Sequence, residues 1–330
     1  MHTGSPPMLV EGLVSTIIPV HNRPVLLREA VASVLAQTYR PIEIVIVDDG
    51  STDDTAQSIA ALAAEYPSIV RHLRIPNGGP GTAREAGRVV AHGEFIQYLD
   101  SDDLLLPRKF ELQVGGLRAH PECDVAYGRT RFYGVGESPG NRSWKRTGER
   151  IETMFPSFLQ SRWWDTSTPL YRREVTDLAG PWIELRSEED WEYDCRIASK
   201  WGRLHYCDAF VSDTRIIFGD QLSAGGSNDP EKLRDRAAAH RLILEHALAA
   251  RIPHETSEMR HFARELFLLA RQCGAAGLAD ETRMLFKLAR QASGSQRSRG
   301  VDFLLYGAGA RLVGWRAMGR LTCSLDRLRA

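Results

Sequence analysis

The stretch "YLDSDDLLLP" (residues 98–107) sets Asp100, Asp102 and Asp103 within four positions, directly after an apolar run. Two carboxylates ~5 Å apart repel by ~3 kcal/mol at an effective dielectric near 20, so such crowding needs a reason. One reason is a turn leading into a helix, whose free N–H groups acids can cap. The other is a divalent cation, because Mg2+ or Mn2+ takes one or two carboxylates together with substrate phosphate oxygens. Two more polar clusters follow apolar runs in the same way, "PVHNR" (19–23) and "DDGSTDD" (48–54). A fourth group of acids lies in "SEEDWEYD" (187–194), where Glu189 and Asp190 open a stretch with helical spacing. A carboxylate held in position is a sufficient general base for a hydroxyl group.

The elements that must position these residues alternate. "VSTIIPV" (14–20), "IEIVIV" (42–47), "VRHLRI" (70–75) and "EFIQYL" (94–99) read as strands, the first nearly continuous in apolar residues as a fully buried parallel strand is. Between them, "RPVLLREAVASVLAQT", "TAQSIAALAAEY" and "TAREAGRVVAHG" have helical spacing, and "PNGGPG" (76–81) reads as a loop. Alternation of this kind predicts an α/β fold with a mostly parallel sheet flanked by helices. Ligands collect beyond the carboxyl ends of such strands, where "PVHNR", "DDGS" and "DSDD" all fall. Three polar clusters on one rim predict a binding site.

Beyond residue 120 the pattern loosens, with a helix expected from about Ser187 and a strand in "LHYCDAFVSDTRII" (204–217). Residues 231–292 read as roughly three helices, "SGSQRSRG" (293–300) as a linker, and 303–330 as one basic, amphipathic helix that includes "YGAGAR". The formal net charge is zero, which does not favour nucleic acid as a partner. Five scattered cysteines without CxxC spacing argue against a zinc knuckle or disulfide framework and for a reducing compartment. The opening "MHTGSPPMLVEG" shows no signal-peptide pattern, and no run is long enough for a membrane span, so a cytoplasmic protein is expected.

In order and approximate spacing, "STIIPVHNR", "IEIVIVDDGSTDDT", "NGGPGTAR", "GEFIQYLDSDD", "EEDWEYDCRIAS" and "TRIIFGDQLS" resemble glycosyltransferase family 2. These are inverting nucleotide-sugar transferases of GT-A fold. The resemblance covers residues 14–223 and implies a GT-A domain over 1–225, followed by a helical C-terminal extension over 226–330. It implies that the backbone of Pro19, Val20, His21 and Asn22 lies along a nucleotide base, with UDP the expected nucleotide, and that Asp49 accepts from the ring N–H. Arg84 would contact the base or its phosphates, with Arg215 also at the nucleotide. Asp100, Ser101 and Asp102 match the family's DxD element for ribose and metal, giving Asp102 and Asp103 as ligands of Mn2+ or Mg2+. Asp190 is the implied base, with Glu189 as a like-charged neighbour able to raise its pKa.

Two departures stand out. Ile217 occupies the place of a family histidine, so Asp220 is a candidate substitute ligand, and Glu85 replaces a common asparagine. The expected acceptor is a glycan or lipid-linked glycan in bacterial-type surface polysaccharide synthesis. The rival readings are a catalytically silent nucleotide-sugar-binding or scaffold protein and a sugar-1-phosphate nucleotidyltransferase. The latter would need a Gly-rich basic loop after the first strand, which "PVHNRP" is not. Trp163 and Trp164 read as core packing in preference to a sugar platform. For the arginine-rich C-terminal helix, peripheral contact with the inner face of the plasma membrane and packing on protein are equal readings.

Overall fold

The computed structural model describes residues 9–200, 202–216 and 229–327. These form two compact units. The first holds the chain up to Thr153, then Trp163–Glu184 and the strand after residue 203; the second holds Met154–Arg162, Leu185–Lys200 and the helices from Pro230 onward. The second unit therefore recruits two segments from within the expected 1–225 domain as well as the helical extension.

In the first unit the order is β1 (Val10–Val20), α1 (Pro24–Leu35), β2 (Ile42–Asp49), α2 (Thr55–Glu65), β3 (Val70–Ile75), α3 (Pro80–Val90), β4 (Gly93–Tyr98), β5 (Leu104–Leu105), α4 (Lys109–Ala119), β6 (Val125–Gly134), β7 (Leu170–Arg172), α5 (Arg173–Ala179) and, after the helix α6 of the second unit, β8 (Leu204–Ile216). The sheet order is β3-β2-β1-β4-β7-β6-β8-β5. The β3-β2-β1-β4 half is parallel throughout, while β7 and β5 pair antiparallel with their neighbours. Every residue of β2 is buried, which is why its apolar run shows no alternation. At the edge, β3 exposes Arg71, His72 and Arg74, and the arginines discourage pairing with another chain. The core joins Val14, Ile18, Ile44 and Ile46 to Leu27, Val31 and Val34 of α1.

Two local expectations change. Helix α3 begins at Pro80, inside the segment read as loop, because Gly79 supplies φ of 85° and Pro80 at the first helical position has no N–H to lose. The aspartate cluster caps no helix. Asp103 N–H closes a turn onto the Asp100 carbonyl at 3.0 Å, β5 follows, and α4 starts only at Lys109.

The second unit contains α6 (Glu189–Ala198), α7 (Pro230–Ala249), α8 (Ser257–Ala276), α9 (Ala279–Ala292), α10 (Gly294–Arg297), α11 (Val301–Val313) and α12 (Trp315–Arg327). The expected linker thus holds a helical turn, and the expected single C-terminal helix is two, broken at Gly314 with φ of 85°. "YGAGAR" lies inside α11. Among the described residues, no helix is long and apolar enough to cross a membrane.

Candidate functional site

The carboxyl ends of β1 and β2 are laced together. Asn22 adopts the left-handed conformation (φ 53°), so its N–H donates to Ser51 Oγ at 3.0 Å and its Oδ1 accepts from the Thr52 N–H at 2.8 Å. His21 Nδ1 donates to the Asp49 carbonyl at 2.9 Å, and Arg23 N–H donates to Thr55 Oγ1 at 3.0 Å. Pro19 and Val20 are buried within β1, paired with Val47 and Asp48, which leaves His21 and Asn22 as the exposed residues of this stretch. Asp48 accepts from the Ser51 N–H at 2.8 Å and lies 3.4 Å from Arg74.

Asp49, the expected partner of a base, meets the backbone of the chain itself. It is buried, and its two oxygens accept from the N–H groups of Gly78 (2.7 Å) and Gly79 (3.0 Å), clamping the loop that enters α3. Arg84 is likewise not free for phosphate. Its buried guanidinium donates to Asp100 Oδ1 at 2.7 Å and lies 4.9 Å from the centre of the Trp182 ring. Glu85, the residue that departs from the family pattern, pairs with Arg88 at 2.7 Å.

The crowding of aspartates resolves into three different environments. The side chain of Asp100 is 33% exposed and paired with Arg84, and that of Asp102 is 19% exposed and paired with Arg23 Nη1 at 2.7 Å. Asp103 is buried, accepting from Ser167 Oγ at 2.8 Å and the Arg215 N–H at 3.1 Å. Burial pushes the Asp103 carboxyl well above the usual carboxylate range, with Asp102, Asp100 and Asp165 adding to the effect. Burial also raises Asp102, against the pull of Arg23. Two guanidinium groups of the chain itself therefore relieve part of the repulsion that the sequence advertises. Arg215 completes the turn instead of reaching outward: its Nε donates to the Asp102 carbonyl at 2.5 Å and its Nη1 pairs with Glu29. Ser101 is buried.

A divalent cation fits Asp102, with Asp100 beside it, and does not fit Asp103. Among the described residues no three His, Cys, Asp or Glu side chains converge as a ligand set, but Mg2+ and Mn2+ require only one or two carboxylates besides water and substrate oxygens. Asp102 is partly exposed and meets that need. The expected ligand Asp103 is shielded, with its oxygens engaged by Ser167 and Arg215, and serves as an internal anchor. Ile217 and Asp220 lie outside the described residues.

In the second unit, Asp190 stands in the first turn of α6 with its side chain 30% exposed. Arg162 Nη1 donates to its Oδ2 at 2.5 Å, and the same guanidinium donates from Nε to the buried Asp194 at 2.7 Å. The charge beside Asp190 is thus a cation, whereas the sequence suggested the like charge of Glu189, itself a buried residue. Nothing in the sequence flags Arg162, which lies 28 residues away. Helix α6 is held by three more polar contacts from α7. Glu188, in the left-handed conformation at the start of α6, meets His240 and Arg236 at 2.9 Å each, and Glu192 meets His246 at 2.7 Å. Burial works to raise the Glu188 carboxyl, but His240 and Arg236 outweigh it and leave it lowered. Trp191 packs edge-on to His240 and Phe262 and donates from Nε1 to the Phe158 carbonyl at 2.8 Å. Trp163 and Trp164 are core residues, the first under Arg146 and the second against Tyr127.

Comparison with known proteins places this geometry. The family described as glycosyl transferase family 2 matches residues 15–175. An uncharacterised glycosyltransferase of Nostoc sp. is 43% identical over 209 residues, covering 62% of each chain. Glycosyltransferase GlyG of Streptococcus pneumoniae is 36% identical over 138 residues, 42% of this chain and 44% of that one. An uncharacterised glycosyltransferase of Rickettsia conorii is 34% identical over 148 residues, 45% of this chain. That match spans only 24% of the Rickettsia relative's length. Among solved structures, Staphylococcus aureus TarS 1–349 in complex with UDP-GlcNAc is similar with a TM-score of 0.69 at 20% identity, covering 94% of this chain and 91% of that one. Mannosyltransferase PcManGT of Pyrobaculum calidifontis, in complex with GDP-Man and Mn2+, gives 0.53 at 18% identity, covering 99% and 90%. At such identities the likeness is one of fold. The loops after β1, β2, β3 and β4 that build the rim all fall inside residues 15–175, the segment that matches glycosyl transferase family 2, and the fold is of the GT-A type.

Proposed function

We propose that the protein is an inverting, metal-dependent glycosyltransferase that moves a sugar from a nucleoside diphosphate, UDP by preference, to a hydroxyl of a glycan or lipid-linked glycan. Synthesis of a bacterial-type surface polysaccharide is the setting that suits such an acceptor, with the C-terminal helices at the membrane surface. The observation that carries the reading is the interlacing of three strand-end loops beside the outward pair Asp100 and Asp102. The UDP-GlcNAc held by TarS and the GDP-Man and Mn2+ held by PcManGT support a nucleotide sugar and a divalent cation as the ligands.

In this reading His21 and Asn22 face the base, while Asp49 keeps the Gly78–Gly79 backbone in position alongside. Asp102, with Asp100 adjacent, would hold Mn2+ or Mg2+. When bound, the cation neutralises charge growing on the leaving diphosphate. Arg84, Arg23 and Arg215 keep the acidic turn in one geometry so that little reorganisation is needed on binding. Asp190 accepts the proton of the acceptor hydroxyl as its oxygen bonds to the anomeric carbon. The bond from that carbon to the phosphate oxygen breaks, its electron pair leaves with the diphosphate, and the configuration inverts. Arg162 fixes the direction in which Asp190 points, and Glu189 contributes to the start of the same helix.

The test is release of UDP from a panel of UDP-sugars with Mn2+, wild type beside Asp190→Asn. Loss of a general base lowers kcat by about 10²–10⁴-fold, with UDP affinity by calorimetry unchanged. Equal turnover by the variant rejects Asp190 as the base. Absence of UDP release from every donor, with UDP still bound, favours a silent binding protein.

A further inference from the structure

The outward face of the C-terminal helices carries apolar surface that nothing in the second unit covers. Helix α11 carries apolar residues on both its inner and its outer side. Its inner residues Phe303, Tyr306 and Ala310 are buried, with Phe303 and Tyr306 in an aromatic cluster at ring separations of 5.0 and 5.2 Å from Phe267. Its outer residues Val301, Leu304, Leu305, Leu312 and Val313 are between 59% and 85% exposed, and Leu321 on α12 is 56% exposed. Positions 301, 304, 305, 308 and 312 follow the helical repeat, so they share a face. Six of the twelve exposed large apolar side chains among the described residues fall between 301 and 321, which is a concentrated patch and not the ordinary scatter.

The face is not that of a loose tail. A Cβ added at Gly319 of α12 would meet Ala275 N of α8 at 2.5 Å, so the two backbones touch, and Arg271 donates to the Thr322 carbonyl at 2.9 Å. The helices are docked, and they offer their apolar side outward.

The charges around the patch say what covers it. Arg297, Arg299, Arg311, Arg316 and Arg320 are exposed, against Asp302 as the one exposed described acid from residue 297 onward. None of the five forms an ion pair among the described residues. The chain as a whole is neutral, so this excess is local. A second copy of the same patch would set arginine against arginine across a two-fold interface. Anionic headgroups over an acyl layer complement both features, taking the leucines below and the guanidinium groups above.

We propose that α11 and α12 form a peripheral membrane-docking surface selective for anionic lipid, with Leu305 and Leu312 inserted at the headgroup boundary and Arg311, Arg316 and Arg320 on the phosphates. This gives residues and lipid chemistry to the membrane setting in the reading above, and rests on that reading only for its purpose. The physical claim stands on α11 and α12 themselves.

The test is flotation of the full chain with phosphatidylcholine vesicles, with and without phosphatidylglycerol, at low and high salt. Wild type is expected to float only with phosphatidylglycerol and to be released in part by salt. Arg311→Gln, Arg316→Gln and Arg320→Gln together weaken partitioning on the order of 100-fold, at about one tenfold step or slightly less per charge. Leu305→Asp with Leu312→Asp abolishes it; both sites are exposed, so a wild-type thermal melt is expected. Equal flotation of either variant and wild type overturns the proposal. So does failure of wild type to bind, or a patch variant that only converts a dimer to monomer by light scattering. UDP calorimetry on the same samples keeps the two readings apart. Flotation without UDP binding sinks the site assignment alone, and UDP binding without flotation sinks the docking surface alone.

Discussion

Lys109 offers a test of how the acidic turn is supported from behind. It opens α4, is fully buried, and its Nζ donates to Gln113 Oε1 and to the Thr168 carbonyl at 2.6 Å each, both uncharged partners. Thr168 follows Ser167, whose hydroxyl holds Asp103. Burial pushes the Lys109 amine well below the usual lysine range, with Cys207 opposing it. The unfolded chain holds that proton up to about pH 10.4, and the folded chain releases it earlier. Between the folded value and about 10.4 the unfolded state binds more protons, so stability rises with pH by up to about 1.4 kcal/mol per pH unit.

Lys109→Met keeps the volume and removes this titration. The Thr168 carbonyl still accepts from Gln113 Nε2 at 3.0 Å, so the main penalty is the stranded Gln113 Oε1, about 1–3 kcal/mol and independent of pH. Urea unfolding of both proteins at several pH values from about 7 to about 9 isolates the slope, because all other titrations cancel in the difference. Cys207, pushed up to about 11 by burial, stays protonated throughout. The wild type should gain on the variant as pH rises above the folded value, by up to about 1.4 kcal/mol per pH unit. Parallel stability curves would falsify the reasoning, because they mean that Lys109 keeps its proton equally in both states.

Asp102→Asn should weaken UDP binding in the presence of Mn2+ by at least about tenfold in calorimetry and leave binding without metal unchanged. Asp103→Asn should retain the metal response. Its wild-type carboxyl is raised, so the wild type loses stability as pH climbs through the folded value and the variant does not; melts at acid and neutral pH read this directly. Glu188→Gln loosens the start of α6 and should lower kcat more than donor KM changes. Because the folded carboxyl is lowered, its stabilisation is present above about pH 4.5 and fades as pH falls through the folded value, so wild type and variant converge in acid. Gly87→Ala should destabilise by about 1–3 kcal/mol in urea titration, since the added Cβ would lie 2.4 Å from Ile17 Cγ2 where α3 meets β1.

Local pattern by itself determined the order of the elements. β2 reads as buried because both its faces are covered, and α1 and α2 announce themselves by spacing that one face of a helix requires. The same pattern placed His21, Asn22, Asp48, Asp49 and Asp100–Asp103 at strand ends, because parallel strands with helical crossovers must all end on one side. What each acid does there was decided by tertiary structure alone. Arg84 reaches Asp100 across 16 residues, Arg162 reaches Asp190 across 28, and Arg23 reaches Asp102 across 79, and no periodicity encodes such pairs. Asp102 and Asp103 are neighbours of one chemical type, yet one stays partly exposed and the other is buried. The pairing of β5 with β8 brings Arg215 to the turn, and the segment before β7 brings Ser167, so the inner carboxylate finds its partners among residues more than 60 positions away. Burial and charge pairing depend on which distant groups arrive, and only the folded chain assembles them.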